Sequence, residues 1–255
     1  MSSKSRTEIA STLSATSNGS TLLLLACRYG HVDVVEYLIK ECKADIEQRG
    51  TITLYSETIE DVTPLWCAAA SGSLPVVVLL VRHGANVNST TKTNSTPLRA
   101  ACFDGHLHVV MYLLDHGADL EIANRHGHTN LMIACYKGHW KVARYLIKKG
   151  ADVNRRSIKG NTALHDSAEY GSILIMKLLL DNGAKMTADS YGMTPLMAAS
   201  VAGHAHVVNY LTMNRSTIDR KELIDAIELL GATCVDKERD MVGALRHWKT
   251  AMKFR

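Results

Sequence analysis

Most of the features that announce chemistry are missing from this sequence. There are only six cysteines. No two stand in C-x-x-C spacing, which argues against a zinc site. The sequence contains no P-loop, no nucleophile elbow and no paired-carboxylate motif. An enzyme therefore has no supporting constellation, and no cofactor is expected. Lys and Arg number 29 against 25 Asp and Glu, a net charge of +4. That balance is too weak to argue for a nucleic-acid partner, and no basic cluster is interleaved with aromatics. No apolar run approaches the ~20 residues of a membrane helix, so no membrane partner is expected. The first residues hold no apolar h-region, and no secretory signal is visible. Reduced core thiols then fit a cytosolic protein, with the nucleus as a second location.

What the chain has is one short phrase, written six times. It reads Thr21-Leu22-Leu23, Thr63-Pro64-Leu65, Thr96-Pro97-Leu98, Thr129-Asn130-Leu131, Thr162-Ala163-Leu164 and Thr194-Pro195-Leu196. The steps are 42, 33, 33, 33 and 32 residues. A second beat runs in phase: Gly30-His31, Gly72-Ser73, Gly105-His106, Gly138-His139, Gly171-Ser172 and Gly203-His204. A 33-residue period with these two phrases is the signature of ankyrin repeats. The fold class is therefore all-α, a solenoid of about six repeats. Such solenoids offer an extended concave surface for binding and rarely carry chemistry.

The third unit shows why the phrase works. Thr96 can cap a helix with its hydroxyl. Pro97 fits the first helical position, where its missing N–H costs nothing. Leu98, Ala101 and Cys102 fall on one helical face. Gly105 can end the helix in the left-handed conformation. After His106, the residues Leu107, Val110, Leu113 and Leu114 form an apolar stripe. Asn94, Gly127, Gly160 and Gly192 hold one turn slot, and Asn is the non-glycine residue most tolerant of positive φ. Cys27, Cys102 and Cys135 share a slot that wants a small apolar side chain. Of the twelve histidines, four belong to the Gly-His beat and His165 takes the hydrogen-bonding slot of the repeat. His126 and His128 flank a turn glycine, and no metal site is expected.

Function is sought where the repeats break their own pattern. The first long step places extra residues within Gly50 to Val62, rich in β-branched side chains and roughly alternating, as in a short β-hairpin. Such a finger could overhang the binding groove, or it could be a tolerated surface loop, since long insertions cost little. The second break is Arg99, in a slot that elsewhere holds Leu24, Trp66, Met132, His165 and Met197. A guanidinium there needs a carboxylate or several acceptors. Phe103 follows one turn on, Asp104 lies at the helix end, and Asn94 and Ser95 lie just before. This set could hold a small zwitterionic group. It could equally be an internal Arg99–Asp104 pair or a cap contact.

Several runs resemble the feminization (Fem) family of ankyrin proteins. They are Thr93 to His106 (TNSTPLRAACFDGH), Glu57 to Glu60, Ala123 to His128, Cys135 to His139 and Gly160 to Asp166. Glu228 to Thr233, Val235 to Lys237, Gly243 to Leu245 and Trp248-Lys249 continue the likeness. It covers nearly the whole chain and is nearest to the A- and C-type homologs. The resemblance implies a non-catalytic substrate receptor of a cullin-2 RING ubiquitin ligase, recognising the C-terminal end of a target that typically finishes in arginine. It implies that Arg99 and Ser95 hold the terminal carboxylate, that Asp104 pairs with the terminal arginine and that Phe103 walls the pocket. Trp66 and Tyr136 would extend the groove. Tyr55, at the finger, stands where close members carry an aspartate.

The expected organisation follows. Residues 1–19 are a remnant of an N-terminal capping repeat or disordered, with part of a helix around Thr7 to Leu13. Leu22 to Leu25 would then be poorly covered. Residues 20–214 are ankyrin repeats. Residues 215–255 begin a region like the family's tetratricopeptide repeats, with one stripe of Ile224, Ile227 and Leu230 and another from Ala244 to Met252. Family proteins continue further, so their cullin–elongin docking box is expected to be absent here. The sequence would be a fragment, a short isoform or an incomplete gene model.

Overall fold

The structure is a computed structural model that describes residues 19–54, 56–214 and 220–233. It falls into two compact units, Met1–Asn130 and Leu131–Arg255, which are taken separately.

The first unit contains α1 (Leu22–Arg28), α2 (Val32–Lys40), β1 (Gly50–Leu54), β2 (Glu57–Val62), α3 (Pro64–Ala70), α4 (Leu74–Arg82), α5 (Pro97–Asp104) and α6 (Leu107–Asp115). Each repeat is a pair of antiparallel helices. The first helices stack α1 on α3 on α5, and the second helices stack α2 on α4 on α6. The caps work as the sequence implies. The hydroxyls of Thr21, Thr63 and Thr96 accept from the N–H of Leu24, Trp66 and Arg99 at 3.3, 3.3 and 3.1 Å. Gly105 closes α5 with φ 76, and Asn94 has φ 59 in the turn slot.

Leu98, Ala101 and Cys102 are fully buried. In α6 the stripe differs from expectation. The buried residues are Val109, Val110 and Leu113, while Leu107 and Leu114 are only half-buried. The same pattern appears in α4 as Val76, Val77 and Leu80. These helices are pinned on two sides, so the buried face widens toward two adjacent positions. Each such side chain contributes roughly 1.5–3 kcal/mol. Among the described cysteines none is disulfide-bonded. Burial pushes the Cys67 and Cys102 thiols up to about 12.

The extra residues form the expected hairpin. Ile52 faces Ile59, Thr53 faces Thr58 and Leu54 faces Glu57, and the register slips before Gly50 meets Val62. Asp61 takes φ 59 in the slipped stretch, as the extra residue of a bulge does. The finger is fastened at its base. The Thr51 N–H donates to the Gly19 carbonyl at 2.8 Å, and Arg49 donates to the Thr90 carbonyl at 2.5 Å. Lys92 pairs with Glu60 at 2.5 Å. A Cβ on Gly50 would stand 2.5 Å from Leu24 Cδ1 and 2.6 Å from the Gly19 carbonyl, so only glycine fits. That close approach also corrects the expectation for α1. Leu23 and Leu24 are buried, and only Leu22, at 47%, is strongly exposed. The expected remnant before residue 19 lies outside the described residues.

The second unit contains α7 (Asn130–Tyr136, starting on the last residue of the first unit), α8 (Trp140–Lys148), α9 (Ala163–Tyr170), α10 (Ile173–Asp181), α11 (Pro195–Val201), α12 (Ala205–Asn214) and α13 (Arg220–Thr233). Here α9 packs on α11, α8 on α10, and α11 on α13. Gly160 and Gly192 hold the turn slot with φ 85 and 81. Among the described side chains of α13, Ala226 is buried and Ile224 is exposed, so Ile224 does not form the expected stripe; Leu230 lies outside the described side chains. The second tail stripe lies outside the described residues. Among the described residues no helix is long and apolar enough to cross a membrane, and no group of His, Cys, Asp or Glu could hold a metal.

Candidate peptide-binding cavity in the first unit

A cavity of about 750 Å³ opens in the first unit. One wall is the finger, through Leu54 and Glu57 to Glu60. The other is the row of first helices with the loop before α5, through Trp66, Ala70, Ser95, Arg99, Phe103 and Asp104. Five of the residues singled out in the sequence thus meet around one space, although they come from two repeats. Stacking in register does this: residues 33 apart become neighbours across the helix row.

Arg99 lies deep in the cavity wall, 9% exposed. Main-chain carbonyls help to anchor it. Its Nη1 donates to the main-chain carbonyls of His128 at 2.9 Å and Thr129 at 3.2 Å. Carbonyl oxygens satisfy these N–H groups, and the guanidinium keeps its charge at ordinary pH as part of the cavity wall. Ser95 is held on both sides. Its N–H donates to the Thr91 hydroxyl at 3.1 Å, and its Oγ accepts from Trp66 Nε1 at 3.2 Å. With that lone pair used, the hydroxyl proton can point at an acceptor in the cavity. Trp66 is buried, and this bond fixes its ring against the cavity. Asp104, at the C-terminal end of α5, adds a carboxylate to the same lining.

Some lining residues were not among the expected pocket residues. Glu57 and Glu60 come with the finger, Lys92 with the loop before α5, and Asn124 and Arg125 with the next turn. The turns are joined through main-chain contacts. The Arg125 N–H donates to the Thr93 carbonyl at 3.1 Å, and the Asn94 amide donates to the Ala123 carbonyl at 2.6 Å. The Lys92–Glu60 pair could not be read from spacing, because it depends on the register of the finger. Two expected site residues remain. Tyr55 lies outside the described residues, and Tyr136 is half-exposed at the end of α7 in the second unit. The cavity therefore places a cation, an anion, a hydroxyl and two aromatic rings around a space large enough for a few residues of extended peptide.

Comparison with known proteins places the chain. The profile of the ankyrin-repeat family matches it three times, over residues 3–91, 65–157 and 155–222. The chain belongs to the ankyrin-repeat family. This ankyrin-repeat protein is 68% identical over 252 residues to a fem-1 homolog of Drosophila melanogaster, covering 99% of this chain and 38% of that protein. It is 62% identical over 255 residues to fem-1 homolog C of Mus musculus, covering all of this chain and 41% of that protein. Against fem-1 homolog A of Danio rerio it is 62% identical over 252 residues, 99% of this chain and 41% of that protein. It spans about two-fifths of the length of these curated relatives. The ankyrin-repeat protein is thus similar to fem-1 homologs along its whole sequence, and its ankyrin repeats mark it as a protein-interaction chain.

Proposed function

We propose that the first unit binds the C-terminal end of a partner protein, with a preference for a terminal arginine. In the wider family context, it would act as the substrate-recognition portion of a cullin-2 RING ubiquitin ligase in the cytoplasm. The observation that carries this reading is Arg99, a buried guanidinium held by the His128 and Thr129 carbonyls and lining one cavity with Ser95 and Asp104. A chain end is a carboxylate with a side chain beside it. Arg99 and the Ser95 hydroxyl would take the carboxylate, through charge-assisted bonds of the stronger class. Asp104 would take the terminal guanidinium, with Phe103 and Trp66 as apolar walls. The ankyrin boundaries at 20–214 and the start of a tetratricopeptide-like region at 215 belong to the same proposal.

A second reading is a scaffold that binds a folded partner through its turn tips. Tyr191, 77% exposed in the second unit, favours it. Panning a display library of C-terminal peptides against the chain separates the two. The proposal expects enrichment of sequences ending in a free arginine, lost in Asp104→Ala. Enrichment that ignores the end and is lost in Tyr191→Ala would favour the scaffold.

A further inference from the structure

We propose that a second cavity of the first unit reads an acidic side chain placed shortly before the chain end held in the first. This rests on the chain-end reading above.

The second cavity measures about 430 Å³ and is lined by Arg28, Tyr29, Ile52, Cys67, Ser71 and His106. It shares Leu54, Ala70 and Asp104 with the first, so the two are adjoining rooms with one wall in common. The lining is built from the C-terminal ends of three stacked helices. Arg28 and Tyr29 end α1, Ala70 and Ser71 end α3, and Asp104 ends α5.

The decisive group is Arg28. It is half-buried, yet among the described residues its side chain makes no hydrogen bond or ion pair. Its recorded partner is the Tyr29 ring, whose centroid lies 5.6 Å from the guanidinium carbon. Arg99 of the first cavity and Arg49 beside the finger behave differently: each finds main-chain carbonyls. A guanidinium carries five donors in a planar fork suited to a carboxylate. Leaving them unused in a half-dry cavity is costly unless something is meant to dock there. The field of Arg28 also reaches the floor of the cavity, where it pulls the Cys67 thiol down against the larger upward effect of burial.

Ser71 and His106 are already engaged. The Ser71 hydroxyl donates to the carbonyls of Ala68 and Cys27 at 3.0 and 3.3 Å. His106 Nε2 lies 3.2 Å from the Ala70 carbonyl. Arg28 is thus the cation the lining presents. Asp104, on the common wall, repels a second anion, so the acidic side chain must sit at the Arg28 end. Extended chain advances about 3.3 Å per residue, and adjoining cavities are spanned within a few residues. The occupant is accordingly a peptide with a glutamate or aspartate a few positions before a free terminal arginine.

The test uses the full chain and fluorescence anisotropy. Peptides end in free arginine on a neutral background, and one glutamate is scanned through the five preceding positions. One position should tighten binding about tenfold, the scale of one well-placed charge pair. Arg28→Gln should cancel that gain, and Arg28→Glu should transfer it to lysine at the same position. If no position responds, or if the gain survives Arg28→Gln, the inference falls. Amidated partners separate this from the chain-end reading. Loss of binding on amidation with a flat glutamate scan sinks only the second cavity, whereas equal binding of acid and amide sinks both. Should Arg28→Gln fail to fold by circular dichroism, the glutamate-against-lysine contrast on the unmodified chain decides the matter.

Discussion

Arg99 in the first unit and His165 in the second occupy the same slot of the repeat, two periods apart, and make the same kind of anchor. Arg99 donates to the His128 carbonyl at 2.9 Å, and His165 Nε2 reaches the Met193 carbonyl at 2.9 Å. The difference is in what is left over. His165 spends its second nitrogen on its own helix cap. Its Nδ1 accepts from the Thr162 N–H at 3.2 Å and contacts the Thr162 hydroxyl at 3.0 Å. With Nδ1 accepting, Nε2 carries the proton, and burial holds the ring below its ordinary pKa. The ring is therefore neutral and structural, beside a cavity of about 280 Å³. Arg99 cannot lose its charge, and it faces a cavity of about 750 Å³. One slot thus carries a neutral ring in one unit and a permanently charged group on a cavity wall in the other.

The comparison breaks most sharply in matched alanine variants. Arg99→Ala should cost about 3 kcal/mol in affinity for a peptide ending in free arginine, more than a hundredfold in Kd. His165→Ala should leave that affinity unchanged. It should instead lower stability by about 1–3 kcal/mol, because the buried Met193 carbonyl and the cap lose their partner. Titration calorimetry and urea unfolding read the two effects separately. A large loss of affinity in His165→Ala would erase the distinction.

Asp104→Asn should have the next largest effect. It should weaken arginine-ending peptides about tenfold, while peptides ending in alanine change little, since only the former give Asp104 a charge to meet. Equal weakening of both would assign Asp104 a structural role.

The smallest effect is a pH dependence confined to the second unit. The folded state depresses the His165 pKa, so the unfolded chain takes up a proton first, near the ordinary value of about 6.5. The contribution is complete above that value and is lost as pH falls below it. Hydrogen exchange of α9 should speed up on acidification through this window relative to α5, and His165→Gln should flatten the response. An identical response in both helices would contradict it.

The architecture was legible because an ankyrin repeat is specified locally. The cap at Thr96, the proline at the first helical turn and the left-handed Gly105 each act within a few residues. The finger was legible for the same reason, through its alternating β-branched side chains. What could not be read depends on stacking. The buried pair Val109 and Val110 reflects neighbours on two sides, not periodicity within α6. The acceptors of Arg99 are main-chain carbonyls of the following turn, which carry no side-chain signature. Arg28 looked like an ordinary basic residue at a helix end. Only the finger above it and the helix ends beside it turn it into the wall of a cavity.

If the cavity around Arg99 holds a chain end, the free carboxylate is indispensable. Calorimetric titration of the chain with two peptides identical except for their termini, one a free arginine carboxylate and the other its amide, tests it most directly. The acid should bind measurably and the amide at least a hundredfold more weakly, because the amide cannot offer Arg99 a full charge. Equal affinities for the two peptides would contradict it.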